Sequence, residues 1–354
     1  MVSLSNHDRS PFDKLRVIGL GALFLAGCAT VGPSVSNEEV KSTQEYYETK
    51  SLQYSYGQVV RVRTVGERLT RSLPAELRNS KPKPYAGLIL DELTPTSGRV
   101  FNIPSKGKAG CLIVGVLPGG PASLADLRAG DLMVQVNGKP TPTLRQATTL
   151  FGKLRKGEKA YLLIERDGLL AERTLVLVPK PYPVSFDVED SEAVNAYATP
   201  GQIVVTSGLL RFIQSDDELA VVLGHELAHL TRGHIAKGMG PNILAGLVGA
   251  TAGTAIDIVL PGAGDAITQA TAAGVSAPFS QDFEREADYF GLRYTHQAGY
   301  RIEAALEFWD RFATQLPRSL SQSFFSTHPT SPERLLRLKK AIEEIQTAGA
   351  GGAS

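Results

Sequence analysis

Cysteine is almost missing from this chain: its 354 residues hold only Cys28 and Cys111, so no disulfide framework can be built. An excess of charge of one sign is missing too. Lys and Arg number 37 against 36 Asp and Glu, a net charge of +1, which is not the balance of a nucleic-acid binder. No hydrophobic run is long: the most apolar stretch near the start, VIGLGALFLA (17–26), is too short to stay in a bilayer as a spanning helix. What is present, 42% apolar and 21% charged residues, suits one or two globular domains with real cores and excludes a disordered chain.

Residues 1–27 read as an export signal, with Arg9, Lys14 and Arg16 ahead of the apolar run. Leu25-Ala26-Gly27-Cys28 resembles a bacterial lipobox. That resemblance implies cleavage before Cys28, lipidation of its thiol, and durable attachment through several acyl chains. By the sorting rule of the lipoproteins it resembles, Ala29 in place of aspartate implies the outer membrane, with the protein on the periplasmic side. Residues 28–44 are then a lipidated tether, short and polar.

Residues 45–84 carry a helical pattern with Val59, Val62, Val65 and Leu69 on one face, broken by Pro74 and the Lys81-Pro82-Lys83-Pro84 run. Tyr46, Tyr47, Tyr54 and Tyr56 are expected to serve helix packing rather than to form a ligand cage. Residues 85–180 change to short β-rich runs punctuated by Gly119-Gly120-Pro121, Asn137-Gly138 and Asp167-Gly168. VLPGGPASLADLRAGDLMVQVNGKP and the later YLLIERDG resemble a PDZ domain of the bacterial protease-associated type, except that Asp126 stands where glycine is usual. The resemblance implies a peptide-binding loop at Tyr85, Ala86, Gly87 and Leu88 and a groove between the next strand and a helix over 143–154. A PDZ-shaped spacer that binds nothing is the plainer alternative. Cys111, in the second strand, is expected to be a buried inert thiol.

SDDELAVVLGHELAHLTRGH (215–234) reads as one amphipathic helix, opened by a capping-box pattern in which Ser215 stands three residues before Glu218. His225 and His229, four apart, leave the same face, with Glu226 about 100° round the axis, in reach of a metal-bound water without being a ligand. Two neutral imidazoles suit zinc, and a catalytic zinc takes a third protein ligand plus an open position. FEREADYFG offers Glu284 as that ligand, with Asp288 one turn on, placed to accept from the outer nitrogen of a zinc histidine. Glu286 should point elsewhere, and His234, turned about 140° from His229, is not expected to be a ligand. HExxH alone also arises where two histidines pack or cap a helix; the second acidic helix is what raises its weight. Before it, the run Gln202 to Thr206 reads as a core strand or as a sheet edge for an extended substrate, and Gly240 to Pro278 as a buried or cleft-side helical hairpin, with peripheral membrane contact as the alternative.

GHELAHLTRGH, FEREADYFG, NAYATPGQIVVTSGLL and STHPTSPERLLRL together resemble the HtpX/BepA-like zinc metallopeptidases, relatives of the CAAX prenyl proteases. The resemblance implies an α+β fold: a mostly helical HExxH zinc-peptidase domain with a small β-sheet (45–84 and 181–345), an inserted β-rich PDZ domain, and a flexible tail over 346–354. It implies one Zn2+ per chain on His225, His229 and Glu284, with Glu226 as catalytic acid/base. His328 could donate to the oxyanion or swing onto the zinc and occlude the open position, and Arg334 could pair with substrate or brace that loop. Helix capping and packing are the plain alternatives for both. The implied function is a lipid-anchored zinc endopeptidase that degrades misfolded or misassembled envelope proteins, its PDZ domain selecting peptide C-termini. A lipoprotein chaperone or scaffold with little proteolysis is the rival, and the intact Glu226 weighs against it.

Overall fold

The computed structural model describes residues 32–77, 82–238, 257–259, 279–315, 328 and 331–351. The expected export signal and Cys28 lie outside the described residues, as does most of Gly240 to Pro278.

The long helix α1 (Asn37–Arg71) joins the two halves of the molecule. It starts earlier than its composition suggests: Ser36 Oγ accepts from Glu39 N, and the Glu39 carboxylate accepts from Ser36 N at 2.7 Å. That capping box makes 37–44 helix instead of tether. Further along, Leu52, Tyr56 and Val59 pack on Tyr85, Ile89, Leu112 and Val114 of the β-rich domain. One turn later Val62, Val65 and Leu69 enter the core of the helical domain. Tyr46, Tyr47 and Tyr54 are exposed, while Tyr56 is buried and donates to Asp91 Oδ2 at 2.6 Å; three of the four face solvent instead of packing.

The β-rich domain contains β1 (Pro84–Glu92), α2 (Pro95–Val100), β2 (Cys111–Val116), α3 (Pro121–Leu124), β3 (Leu132–Val136), β4 (Lys139–Pro140), α4 (Leu144–Phe151), β5 (Lys159–Arg166), β6 (Leu169–Val176) and β7 (Val178–Pro179). Strands β1-β2-β3-β5-β6 run in that order as antiparallel neighbours, with Leu88, Leu90, Ile113, Met133, Phe151 and Ile164 in the core. Asn137-Gly138 and Asp167-Gly168 have positive φ at both positions, the hairpin geometry that their sequence signals. Asp126 also has positive φ, +54°, a conformation aspartate tolerates better than most residues. Its carboxylate pairs with Arg128, Arg166 and Arg173, which accounts for a side chain where related domains carry glycine. Cys111 is fully buried, and burial pushes its thiol up, out of reactive range.

Tyr85, Ala86 and Leu88 are buried at the start of β1, and Gly87 takes φ +72°. The β1 edge away from β2 carries β7 and, in parallel, a short strand at Asp257–Val259 (β11 in chain order), with Tyr85 opposite Asp257 and Ile89 opposite Val259. The described part of the Gly/Ala-rich stretch is therefore extended, not helical; β-branched Ile258 and Val259 suit a strand edge better than a helix.

The helical domain opens with a three-stranded sheet: β8 (Ser185–Glu189), β9 (Ala196–Thr199) and β10 (Gln202–Thr206), ordered β8-β10-β9. β10 lies between a parallel and an antiparallel partner and is buried throughout, so Gln202 to Thr206 is a core strand and not a sheet edge. The chain entering from the Pro179–Pro183 linker covers the side that the sequence left open. β8 and β9 are the edges, and β9 packs beside the histidine helix. Then come α5 (Ser207–Phe212), α6 (Asp216–Thr231), α7 (His234–Gly238), α8 (Gln281–Gln297), α9 (Ala304–Gln315) and α10 (Pro332–Gly351). α6 and α8 cross backbone to backbone: a Cβ on Gly291 would stand 2.8 Å from His225 N, and one on Gly224 would stand 2.8 Å from Gly291 O. The whole is α+β, and no described helix is long and apolar enough to cross a membrane.

Candidate metal centre

The histidine helix is fixed at both ends. Ser215 Oγ accepts from Glu218 N at 3.2 Å, and the Glu218 carboxylate accepts from Gln214 N and takes the Arg311 guanidinium. At the other end Gly233 takes φ +71°. The stretch 215–234, expected as one helix, is thus broken after Thr231, and His234 begins α7.

His225, Glu226 and His229 project from α6 into the α8 crossing, where Glu284 meets them; all four are buried. His225 Nε2 lies 3.1 Å from His229 Nε2, His229 Nε2 lies 3.3 Å from Glu284 Oε1, and His225 Nε2 lies 3.6 Å from Glu284 Oε2. Ligands about 2.0–2.1 Å from one zinc at tetrahedral angles stand about 3.3 Å apart, so this triangle fits a single zinc. The protons agree. Asp288 Oδ1 is 3.0 Å from His225 Nδ1, which puts the proton of a neutral His225 on Nδ1 and leaves a bare lone pair on Nε2. With His229 Nε2 also unprotonated, two lone pairs would face each other, a repulsion that a cation relieves.

His328 occupies the remaining corner. Its Nδ1 is 2.8 Å from Glu284 Oε1 and 3.1 Å from His225 Nε2, and its Nε2 is 3.2 Å from Glu226 Oε1. Ligand atoms of His225, His229, Glu284 and His328 all fall within 4.8 Å of one another. Burial works against a charge on His328, but Glu226 and Glu284 outweigh it and raise its pKa to about 9. Glu284, despite burial, is held well below the usual carboxylate range by His328 and His229. Burial lowers His229 to about 4, so it is a neutral imidazole, the form that ligates. Arg334 is buried, grips Asp288 through Nε and Nη2 at 2.8 and 2.7 Å, stacks on Trp309 and donates from Nη1 to the His328 carbonyl at 3.2 Å. In this arrangement it braces His328.

Two residues set aside by the helical-wheel argument join the cluster. His234 Nδ1 lies 3.1 Å from His229 Nδ1, and His234 Nε2 lies 3.0 Å from Glu286 Oε2. The bend at Gly233 undoes the 140° offset that a continuous helix would impose. The glycine just before His234 was the available signal.

Residues 170–342 match the profile described as "Peptidase family M48", and residues 112–166 match that of a PDZ domain. Among curated relatives, the "Mitochondrial metalloendopeptidase OMA1" of Arabidopsis thaliana is 33% identical over 160 residues, covering 44% of this chain and 32% of that protein. The "Beta-barrel assembly-enhancing protease" of Yersinia pestis is 33% identical over 173 residues, covering 46% of this chain and 35% of that protein. The matched region thus spans only about a third of these relatives' length. The "HtrA-type protease AlgW with decapeptide" overlaps 29% of this chain and 31% of its own at 22% identity and a TM-score of 0.27, too little to argue from. Residues 170–342 are thus similar to peptidase family M48, and residues 112–166 to a PDZ domain.

Proposed function

We propose that the chain is a zinc-dependent endopeptidase with one zinc on His225, His229 and Glu284, lipid-anchored through Cys28 at the periplasmic face of the outer membrane. The observation that carries the zinc assignment is the 3.1–3.6 Å triangle of ligand atoms with a bare His225 nitrogen aimed into it. Zinc bound there would acidify a water and polarise a scissile carbonyl. Glu226, buried beside the triangle and not part of it, would take the water's proton and pass it to the leaving amine. Asp288 holds His225 in its ligating tautomer, and Arg334 holds Asp288. An extended substrate would pair with the edge strand β9 alongside α6.

Misfolded or misassembled envelope proteins are the proposed substrates, supported by similarity to the beta-barrel assembly-enhancing protease of Yersinia pestis and by the lipobox-like sequence ending at Cys28. The PDZ domain would offer peptide C-termini the Tyr85–Leu88 stretch, which is the start of strand β1 and not the expected loop, and β11 already pairs along that strand. His328 against Glu226 and Glu284 favours a second, compatible reading, in which the site is latent and the protein acts as a binding lipoprotein until His328 withdraws.

The test is zinc content and casein cleavage on the form beginning after Cys28, beside Glu226→Gln. One zinc per chain, with cleavage that vanishes in the variant while zinc stays, is expected. A wild type that takes up no zinc on reconstitution would sink the reading.

A further inference from the structure

Glu286 and His234 lie outside the zinc triangle and have no role in the chemistry above, yet the structure connects them to it in series. His234 is fully buried and lies flat on the Phe283 ring, 4.4 Å away with 9° between planes. Its Nε2 faces Glu286 Oε2 at 3.0 Å, and Glu286 is itself held by Arg232 Nε at 2.6 Å. A carboxylate has no proton to give, so neutral His234 donates from Nε2 and keeps a lone pair on Nδ1. Only one arrangement then makes the 3.1 Å contact between the two Nδ1 atoms a hydrogen bond: His229 carries its proton on Nδ1. Its Nε2, 3.1 Å from His225 Nε2 and 3.3 Å from Glu284 Oε1, is then open to a metal, whereas a proton on Nε2 would turn to Glu284 and leave the Nδ1 contact unbonded.

We infer that His234 and Glu286 are positioning residues, a two-step relay that fixes His229 in the tautomer that binds metal. Asp288 makes the same provision for His225 in one step, because it stands one turn from Glu284 on the inner face of α8. Glu286 is turned about 200° from Glu284 and cannot reach His229 directly. The imidazole of His234 spans the difference, and the Gly233 bend puts it there. The inference rests on the zinc reading above for its consequence, but the tautomer of His234 can be read without metal. The plain alternative is that His234 is a buried histidine satisfied by its neighbours, with no effect on the metal.

The test pairs two readouts. In metal-free wild type, long-range proton–nitrogen correlation of the His234 ring is expected to show the proton on Nε2, toward Glu286, with Nδ1 bare as an acceptor; the proton on Nδ1 would overturn the relay. Zinc affinity, from chelator competition, is then compared across three folded variants. His234→Phe keeps the ring on Phe283 and removes both nitrogens, and should weaken zinc by about 10–100-fold. His234→Asn offers an oxygen near the Nδ1 position and should recover much of that loss. Glu286→Ala, at a side chain 30% exposed and easily tolerated, should weaken zinc by a smaller factor. Affinities of His234→Phe and Glu286→Ala within about twofold of wild type, or no recovery in His234→Asn, would overturn the inference. Should His234→Phe not fold, the wild-type ring spectrum and Glu286→Ala decide it. A wild type that binds no zinc defeats the zinc reading alone, since the ring spectrum still reports the tautomer.

Discussion

Gly291 and Gly224 set the distance at which the metal site is assembled. Each lacks the one atom that would push α8 off α6: a Cβ on Gly291 would meet His225 N at 2.8 Å and His225 Cα at 2.9 Å, backbone atoms that cannot swing aside. Glu284 and Asp288 reach the histidines only because this crossing is so close. Gly291→Ala is therefore expected to cost about 1–3 kcal/mol as an overpacked core site, and to weaken zinc binding because the carboxylates retreat from the imidazoles. Thermal melting with and without zinc checks it. A variant with unchanged Tm and unchanged zinc affinity would mean that the helices separate elsewhere without moving the site. Nothing in GLRYTHQ marks Gly291 in the sequence, since a glycine inside a helical pattern does not reveal what crosses it.

The individual elements differ in how openly the sequence announces them, for reasons of range. Local devices are legible: the Ser215 cap, the His225–His229 spacing, the Asn137-Gly138 and Asp167-Gly168 hairpins. Features decided by distant partners are not. Gln202 to Thr206 alternates with nothing and reads equally as centre or edge, until β8 arrives from beyond the proline linker. His234 is placed by one left-handed glycine, and Asp126 by three arginines up to 47 residues away. The same limit applies to His328, where motif chemistry allowed opposite roles. The structure gives those roles opposite signs. With His328 filling the fourth corner and engaging Glu226, His328→Ala should raise casein turnover and loosen zinc, since a ligand-like neighbour is gone. An oxyanion donor at that position would instead lose about 10²–10³ in kcat on the same substitution. Turnover at saturating casein, with zinc content measured on the same sample, separates the two.

Across the whole molecule, α1 belongs to both domains at once, and its two faces are consecutive turns of one helix. Tyr56 and Val59 pack on the PDZ sheet, Val62 and Val65 in the peptidase core, and Phe186 lies against the bare Gly66 between those contacts and the sheet behind. The seam is also polar: Lys180, at the end of the PDZ chain, pairs with Glu67 at 3.1 Å, and Arg63 pairs with Asp187 at 2.6 Å, all four buried. Breaking such a pair strands a charge away from water, which costs about 3–5 kcal/mol, so one domain cannot let go of α1 cheaply. The two domains should therefore unfold together. Zinc, binding only the folded peptidase domain, would add about 4 kcal/mol when free zinc is a thousandfold above Kd, and α1 would pass that stabilisation to the PDZ domain. Chelation is then expected to lower one shared transition, seen both by calorimetry and by hydrogen exchange at Ile113, Met133 and Ile164 in the PDZ core. If those amides keep their protection while the zinc domain melts, α1 frays from its C-terminal half alone. The PDZ domain would then be an independent module, and occupancy of its groove could not be coupled to the metal site through this helix.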